Sequence, residues 1–204
     1  MRKLIGLTGT YCAGKNHVAV LLKKRGLPVL DIDKLGHTAI EEEKAAILAR
    51  FGGDLAGPDG KINRRLLGER VFGKPGEMAA LEGIVHPAAN RLTGEWLAAQ
   101  AGKSCVFNAA VLHGSSVFGQ LDFIILVEAP FFTRLLRARK RDGLSWHSLL
   151  KRFGSQKHFI SQYLSAKADI YRVDNRGNSL FGFPRSEAQL ENRISEILSG
   201  EGIL

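Results

Sequence analysis

The sequence predicts an α/β protein, with a parallel sheet flanked by helices and interrupted by a helical insertion. Three observations lead there. Residues 3–33 read as strand, glycine-bearing loop, helix and second strand, the length of a parallel crossover. The run Phe123-Ile124-Ile125-Leu126-Val127 is apolar throughout, as a strand covered on both faces must be. Between about Leu35 and Ala101 the apolar residues recur with helical spacing and no strand pattern appears.

In chain order, Lys3 to Leu7 forms the first strand and leads into "GTYCAGKN", Gly9 to Asn16. Its G-x-x-x-x-G-K spacing is that of a phosphate-binding loop, with Asn16 where a Ser or Thr hydroxyl ordinarily meets Mg²⁺. A helix is expected from about Lys15 to Arg25, with Val18, Leu21 and Leu22 on one face and Gly26 as its stop. Pro28 to Asp33 reads as the second strand. The stretch 35–101 is a helical insertion, broken by the Gly/Pro-rich segment Gly52 to Gly60. Strands return at Cys105 to Phe107 and Phe123 to Val127. Helices follow at Phe131 to Lys140 and Ser145 to Phe153, then a short strand at Asp169 to Val173. Leu190, Ile194 and Ile197 mark the packed face of a C-terminal helix.

Composition narrows the function classes. A chain of 204 residues with 45% apolar content can bury a sizeable core. Its apolar runs fall short of the ~20 residues a membrane-spanning helix needs, and the Met1-Arg2-Lys3 start leads into a strand instead of a signal-peptide core, so a cytoplasmic location is expected. Cys12 and Cys105 lack metal-ligand or redox spacing and read as reduced thiols. The net charge of +9 favours an anionic partner: nucleic acid, an acidic membrane surface or a phosphorylated small molecule. No aromatic interleaving or known nucleic-acid module supports the first of these, and no Asn-Lys-x-Asp segment marks a guanine reader.

The chemistry-bearing residues cluster around the loop. Gly9 and Gly14 permit the loop backbone, whose amides, from Tyr11, Cys12 and Ala13 through Lys15, Asn16 and His17, turn toward a phosphate while Lys15 adds a point charge. Asp31 and Asp33, two apart on an extended segment, are expected to project from one face at the strand end. There a carboxylate can take the proton of an attacking hydroxyl or hold a metal's water shell, and Asp33 is the better base. Arg134, Arg137 and Arg141 fall at i, i+3 and i+7, a stripe suited to closing over a polyphosphate. Asn16 can meet Mg²⁺ through its carbonyl oxygen or through a bound water.

Taken together these segments resemble the dephospho-CoA kinase family. The likeness runs through "IGLTG" and the loop, then "VLDIDKLG", "DGKINRRLLGERVF", "LEGIVHP", "RDGLS" with "RFGSQ", Ala168-Asp169 and the "DNRG" of Asp174 to Gly177. It implies a P-loop kinase fold whose nucleotide-binding core covers 1–34 and 102–204, with a helical lid at about 133–165 and a substrate-binding insertion at 35–101. It further implies ATP as co-substrate, Mg²⁺, dephospho-CoA as the acceptor, and no nucleic-acid or membrane partner. Residue by residue, Lys15 and the loop amides would hold ATP phosphates and Asp33 would serve as general base on the ribose 3′-hydroxyl. Arg137 and Arg141 would be lid arginines, with Arg152 and Gln156 in the same region. Arg64, Arg65 and His86 would lie near the acceptor, with Asp31 on the substrate side, and Asn175 would lie near the adenine.

The chain departs from the family pattern in two places. The family loop reads G-G-I-G-S-G-K-S, and here Thr10, Cys12 and Asn16 replace Gly, Gly and Ser. The P-L-L-x-E segment is Ala110-Val111-Leu112-His113-Gly114, without its proline and its acid. These changes bear on metal geometry and turnover. The competing classes are a related small-molecule kinase with another acceptor and a catalytically weak nucleotide-binding regulator.

Overall fold

Five strands form one wholly parallel sheet in the order β2-β3-β1-β4-β5. They are β1 (Leu4–Gly9), β2 (Val29–Asp31), β3 (Cys105–Asn108), β4 (Phe123–Glu128) and β5 (Asp169–Asp174). The computed structural model describes residues 1–154, 163, 168–176 and 187–203. The chain divides into two compact units, Met1–Asp31 with Gly102–Leu204, and Ile32–Ala101.

In the first unit, β1 lies between β3 and β4, with Ile5 opposite Val106 on one side and Phe123 on the other. Alternation then sorts the side chains. Ile5, Leu7, Val106, Phe123, Ile125, Val127 and Val173 share one core cluster with two helices. Helix α1 (Lys15–Lys24) contributes Val18, Leu21 and Leu22, and the C-terminal helix, Glu187–Gly200, contributes Leu190, Ile194 and Ile197. All three C-terminal positions expected to pack are buried. On the opposite face, a Cβ on Gly6 would stand 2.6 Å from Leu112 and 2.8 Å from Leu121, so the glycine lets those side chains lie directly on the strand.

Because every strand runs the same way, all five carboxyl ends lie along one edge, where open α/β sheets bind ligands. Apolar strands β3 and β4 end there on polar residues, Asn108 and Glu128.

The second unit holds α2 (Ile32–Glu42), α3 (Lys44–Phe51), α4 (Arg64–Val71) and α5 (Pro75–Ala98). Ile47, Phe51, Leu55, Ile62, Leu67 and Val71 form its core. The Gly/Pro-rich break is a 3-10 turn at Gly53–Leu55 and a tight turn closed by an Ala56–Ile62 bridge. Asn63 caps α4, its side chain accepting from the Leu66 amide at 3.1 Å. Two further helices belong to the first unit, α6 (Phe131–Asp142) and α7 (Trp146–Gly154), leaving Glu187–Gly200 as α8.

One expectation fails. The second strand was expected to reach Asp33, which would set Asp31 and Asp33 on one face, but β2 stops at Asp31 and Asp33 lies in the first turn of α2. The reason is pairing. β2 is an edge strand whose single partner, β3, ends at Asn108, the residue in register with Asp31. Beyond it Ile32, Leu35, Ala39 and Ile40 carry helical spacing, and an acid in the first turn complements the helix dipole.

Candidate active site

The loop after β1 is held from three sides. Gly9 sits against β4, where a Cβ would come within 2.6 Å of the Val127 carbonyl oxygen, and the Thr10 amide donates to that same oxygen at 3.3 Å. The Ala13 amide donates back to the Thr10 carbonyl at 2.9 Å, closing a turn in which Cys12 has φ 59°. Gly14, at φ 94°, opens α1, and the left-handed backbone that glycine adopts freely is strained at Cys12. Ala13 is buried, and its carbonyl accepts from Asn175 Nδ2 at 2.8 Å and from an Arg137 Nη at 3.1 Å.

Lys15 occupies a closed ring of hydrogen bonds. Its ammonium donates to Asn108 Oδ1 at 3.0 Å and to Asn16 Oδ1 at 3.3 Å, while Asn108 Nδ2 donates to Asn16 Oδ1 at 3.1 Å. An ammonium only donates, so its position sets the orientation of both amides. Asp31 stands beside Asn108 in the sheet register, which places Asp31, Asn108, Asn16 and Lys15 at the carboxyl edge of β2, β3 and β1.

Helix α6 brings its arginine stripe to this loop. Arg137 reaches the Ala13 carbonyl, Arg141 lies over the Tyr11 ring at 5.2 Å, and Arg134 lies over the Phe153 ring at 4.9 Å. Burial lowers the basicity of Arg134 and Arg137, outweighing the opposing pull of Cys12 on both and of Glu128 on Arg134. Arg134 Nε and Thr10 Oγ1 are shielded from water and have no hydrogen-bond partner among the described residues. A polyphosphate brings negative charge to these guanidiniums and acceptors to Arg134 Nε and Thr10 Oγ1, so the residues present fit ATP.

A second network ties loop to helix. The Tyr11 hydroxyl donates to Asp142, which accepts from Arg141 at 2.7 and 3.1 Å. Arg152 stands 3.7 Å from the same carboxylate and 3.4 Å from the Tyr11 hydroxyl. The Arg141 hydrogen bond is the main reason the Asp142 carboxyl falls from near 3.8 to about 2. The Tyr11 hydroxyl is pushed up, first by burial and then by Asp142.

The other expected residues have contacts of their own. His17 is turned to Glu187 at 3.5 Å, and its amide donates to the Gly14 carbonyl at 3.0 Å. Asn175, expected near the adenine, spends its side-chain amide on the loop backbone. Asn16 is expected to meet a metal directly or through a water; its carbonyl oxygen faces an ammonium and an amide, a poor seat for a dication, so of the two the arrangement fits contact through water. No cluster of three or more His, Cys, Asp or Glu side chains suited to a metal occurs among the described residues. Gln156 and Gly177 lie outside the described residues. In the second unit Asp33 is exposed, and Arg64 and Arg65 line a cavity of about 960 Å³ with His37, Lys61 and Glu41. His86 is exposed on α5 and is not part of that lining.

Sequence reasoning missed Asn108, Asp142 and Tyr163. For Asn108 the available signal was a polar residue ending the apolar strand "CVFN", and Asp142 lies within the "RDGLS" segment that carries the family likeness. Tyr163 is fully buried, its hydroxyl accepting from the Leu112 amide at 3.1 Å and lying 3.4 Å from Thr8 Oγ1. No helix among the described residues is long and apolar enough to cross a membrane.

Residues 3–179 match the family model described as dephospho-CoA kinase. The dephospho-CoA kinase of Treponema pallidum (strain Nichols) is 33% identical, over 98% of this chain and 96% of its own length. That of Anaeromyxobacter dehalogenans (strain 2CP-C) is 36% identical, over 86% and 84%. Among solved structures, the Thermus thermophilus protein TT1252 superposes with a TM-score of 0.79 at 29% identity, covering 98% of this chain and 97% of that one. With a family match over nearly its whole length and a phosphate-binding loop held against a five-stranded parallel sheet, the chain belongs to the dephospho-CoA kinase family.

Proposed function

We propose that this protein transfers the γ-phosphoryl group of ATP to the ribose 3′-hydroxyl of dephospho-CoA, giving coenzyme A and ADP. The observation that carries the reading is the convergence of Lys15, Arg137 and Arg141 on a strand-loop-helix phosphate site, with Arg134 Nε and Thr10 Oγ1 lacking partners among the described residues.

Phosphoryl transfer asks a protein mainly for positioning and for positive charge around the transferring group. Lys15 and the loop amides hold the nucleotide's phosphates, while the α6 arginines balance the charge that spreads over the phosphoryl oxygens. Asp33 is the proposed acceptor of the 3′-hydroxyl proton, with Asp31 the neighbouring carboxylate at the sheet edge. Arg64 and Arg65, at the start of α4, offer guanidiniums to the phosphates of the acceptor. Mg²⁺, usual in kinases, shields the phosphates when bound, and Asn16 fits it at most through water.

Purified protein incubated with ATP and dephospho-CoA should yield ADP and coenzyme A in equal amounts. Transfer to another alcohol with no coenzyme A formed points to a different acceptor, and tight ATP binding without transfer points to a regulator.

A further inference from the structure

Asn108 is only 3% exposed, at the end of a strand otherwise built of Cys, Val and Phe. An amide is costly to bury unless its polar atoms are bonded. Here both are spent on the phosphate loop, the oxygen on Lys15 and the nitrogen on Asn16. The other residues of β3, Cys105, Val106 and Phe107, are apolar and fully buried, so the polar side chain at its end stands apart from the strand's packing.

We propose that Asn108 is a positioning residue for Lys15, and that Asn16 serves this arrangement by orienting the Asn108 amide and not by binding metal directly. Lysine is a point charge on a flexible four-carbon stem, so an unanchored Lys15 loses rotamer freedom each time it meets a phosphate. Asn108 Oδ1 engages one of the three ammonium donors at 3.0 Å and orders the stem beforehand. The longer 3.3 Å contact to Asn16 is the one exchanged for a phosphate oxygen. Asn16 accepts from Asn108 Nδ2 and thereby keeps the oxygen of Asn108, not its nitrogen, toward the ammonium. A Ser at position 16, as in the family loop, has no amide carbonyl with which to close this ring.

The inference rests on Lys15 acting at the nucleotide's phosphates. Its test is therefore ADP binding by calorimetry with chelator present, which reads the lysine without the metal or the reaction. Coenzyme A formation by the parent protein tests the activity separately.

Asn108→Ala should weaken metal-free ADP binding roughly 10- to 100-fold, the range a hydrogen bond to a charged group sustains. Asn108→Leu, close in size and apolar like the rest of β3, removes the acceptor without adding charge and should weaken ADP binding by the same factor. It serves as the folded comparison if the alanine variant unfolds, and parent-like ADP binding in folded Asn108→Leu overturns the proposal. In a Lys15→Met background, Asn108→Ala should have no further effect, because the residue acts through the lysine. Asn16→Ala should weaken ADP binding by about 2- to 10-fold, equally with and without Mg²⁺. Unchanged ADP binding in folded Asn108→Ala, additive losses with Lys15→Met, or an Asn16→Ala loss seen only with Mg²⁺ each overturns it.

Discussion

The Tyr11 hydroxyl donates to the Asp142 carboxylate, so the middle of the phosphate-binding loop is tied to the last residue of α6. Arg141 binds the same carboxylate with two nitrogens and covers the Tyr11 ring. The depressed Asp142 carboxyl gives this contact a pH signature. A group whose folded value is lowered contributes its stability in full above the unfolded value and loses it as pH falls through the folded one. The difference in melting temperature between the parent and Asp142→Asn should be constant from about pH 7 to 5 and shrink as pH falls from about 4 to 2. A difference that persists unchanged in acid would assign the contact's stability to something other than the carboxylate.

Arg137 and Arg141 should separate in mutants. Arg137 supports the Ala13 carbonyl as well as adding charge, so Arg137→Ala should weaken ADP binding and lower kcat together. Arg141 directs its hydrogen bonds to the Asp142 carboxylate. Arg141→Ala should therefore lower kcat by ~10-fold or more with a smaller change in ADP affinity. Steady-state kinetics with ADP titration distinguishes them, and equal profiles for both variants would contradict the division.

Cys12 holds a left-handed backbone with φ 59°, at the position where the family loop carries glycine. A side chain in that region costs roughly 1–2 kcal/mol, against roughly 0.5–1 kcal/mol of extra unfolded-chain entropy for glycine. Cys12→Gly should consequently be neutral to stabilising by up to ~1 kcal/mol, with ADP affinity kept. Denaturant unfolding measures this, and a destabilised variant would show that the thiol makes a compensating contact.

The two carboxylates occupy different elements, and their roles should differ accordingly. Asp33→Asn should lower turnover by ~10²-fold or more while leaving ATP affinity near the parent value, as loss of a proton acceptor does. Asp31→Asn removes charge beside Asn108 at the sheet edge and is expected to act on the metal requirement more than on the proton transfer. Parallel rate measurements across a Mg²⁺ titration check both, and an Asp31→Asn variant with the larger rate loss would reassign the base.

The architecture was legible because it depends on local patterns. Apolar runs, helical spacing and the Gly9 to Lys15 loop lie within short windows, and the strands, the helical insertion and the family all follow from them. The pairwise contacts that hold the loop were not legible, for the opposite reason. Asn108 and Lys15 are 93 residues apart, Tyr11 and Asp142 131 apart, and Ala13 and Asn175 162 apart, and no periodicity encodes such pairs. The placement of Asp33 depended on tertiary pairing too. An Asp-Ile-Asp stretch is compatible with a strand, and β2 ended at Asp31 because its one partner ran out at Asn108. The sequence by itself determined the order of elements and a phosphate-binding loop with its lysine. Only the folded sheet, by bringing parallel strand ends to one edge, decided which side chains hold that lysine and set Asp31 in register with Asn108.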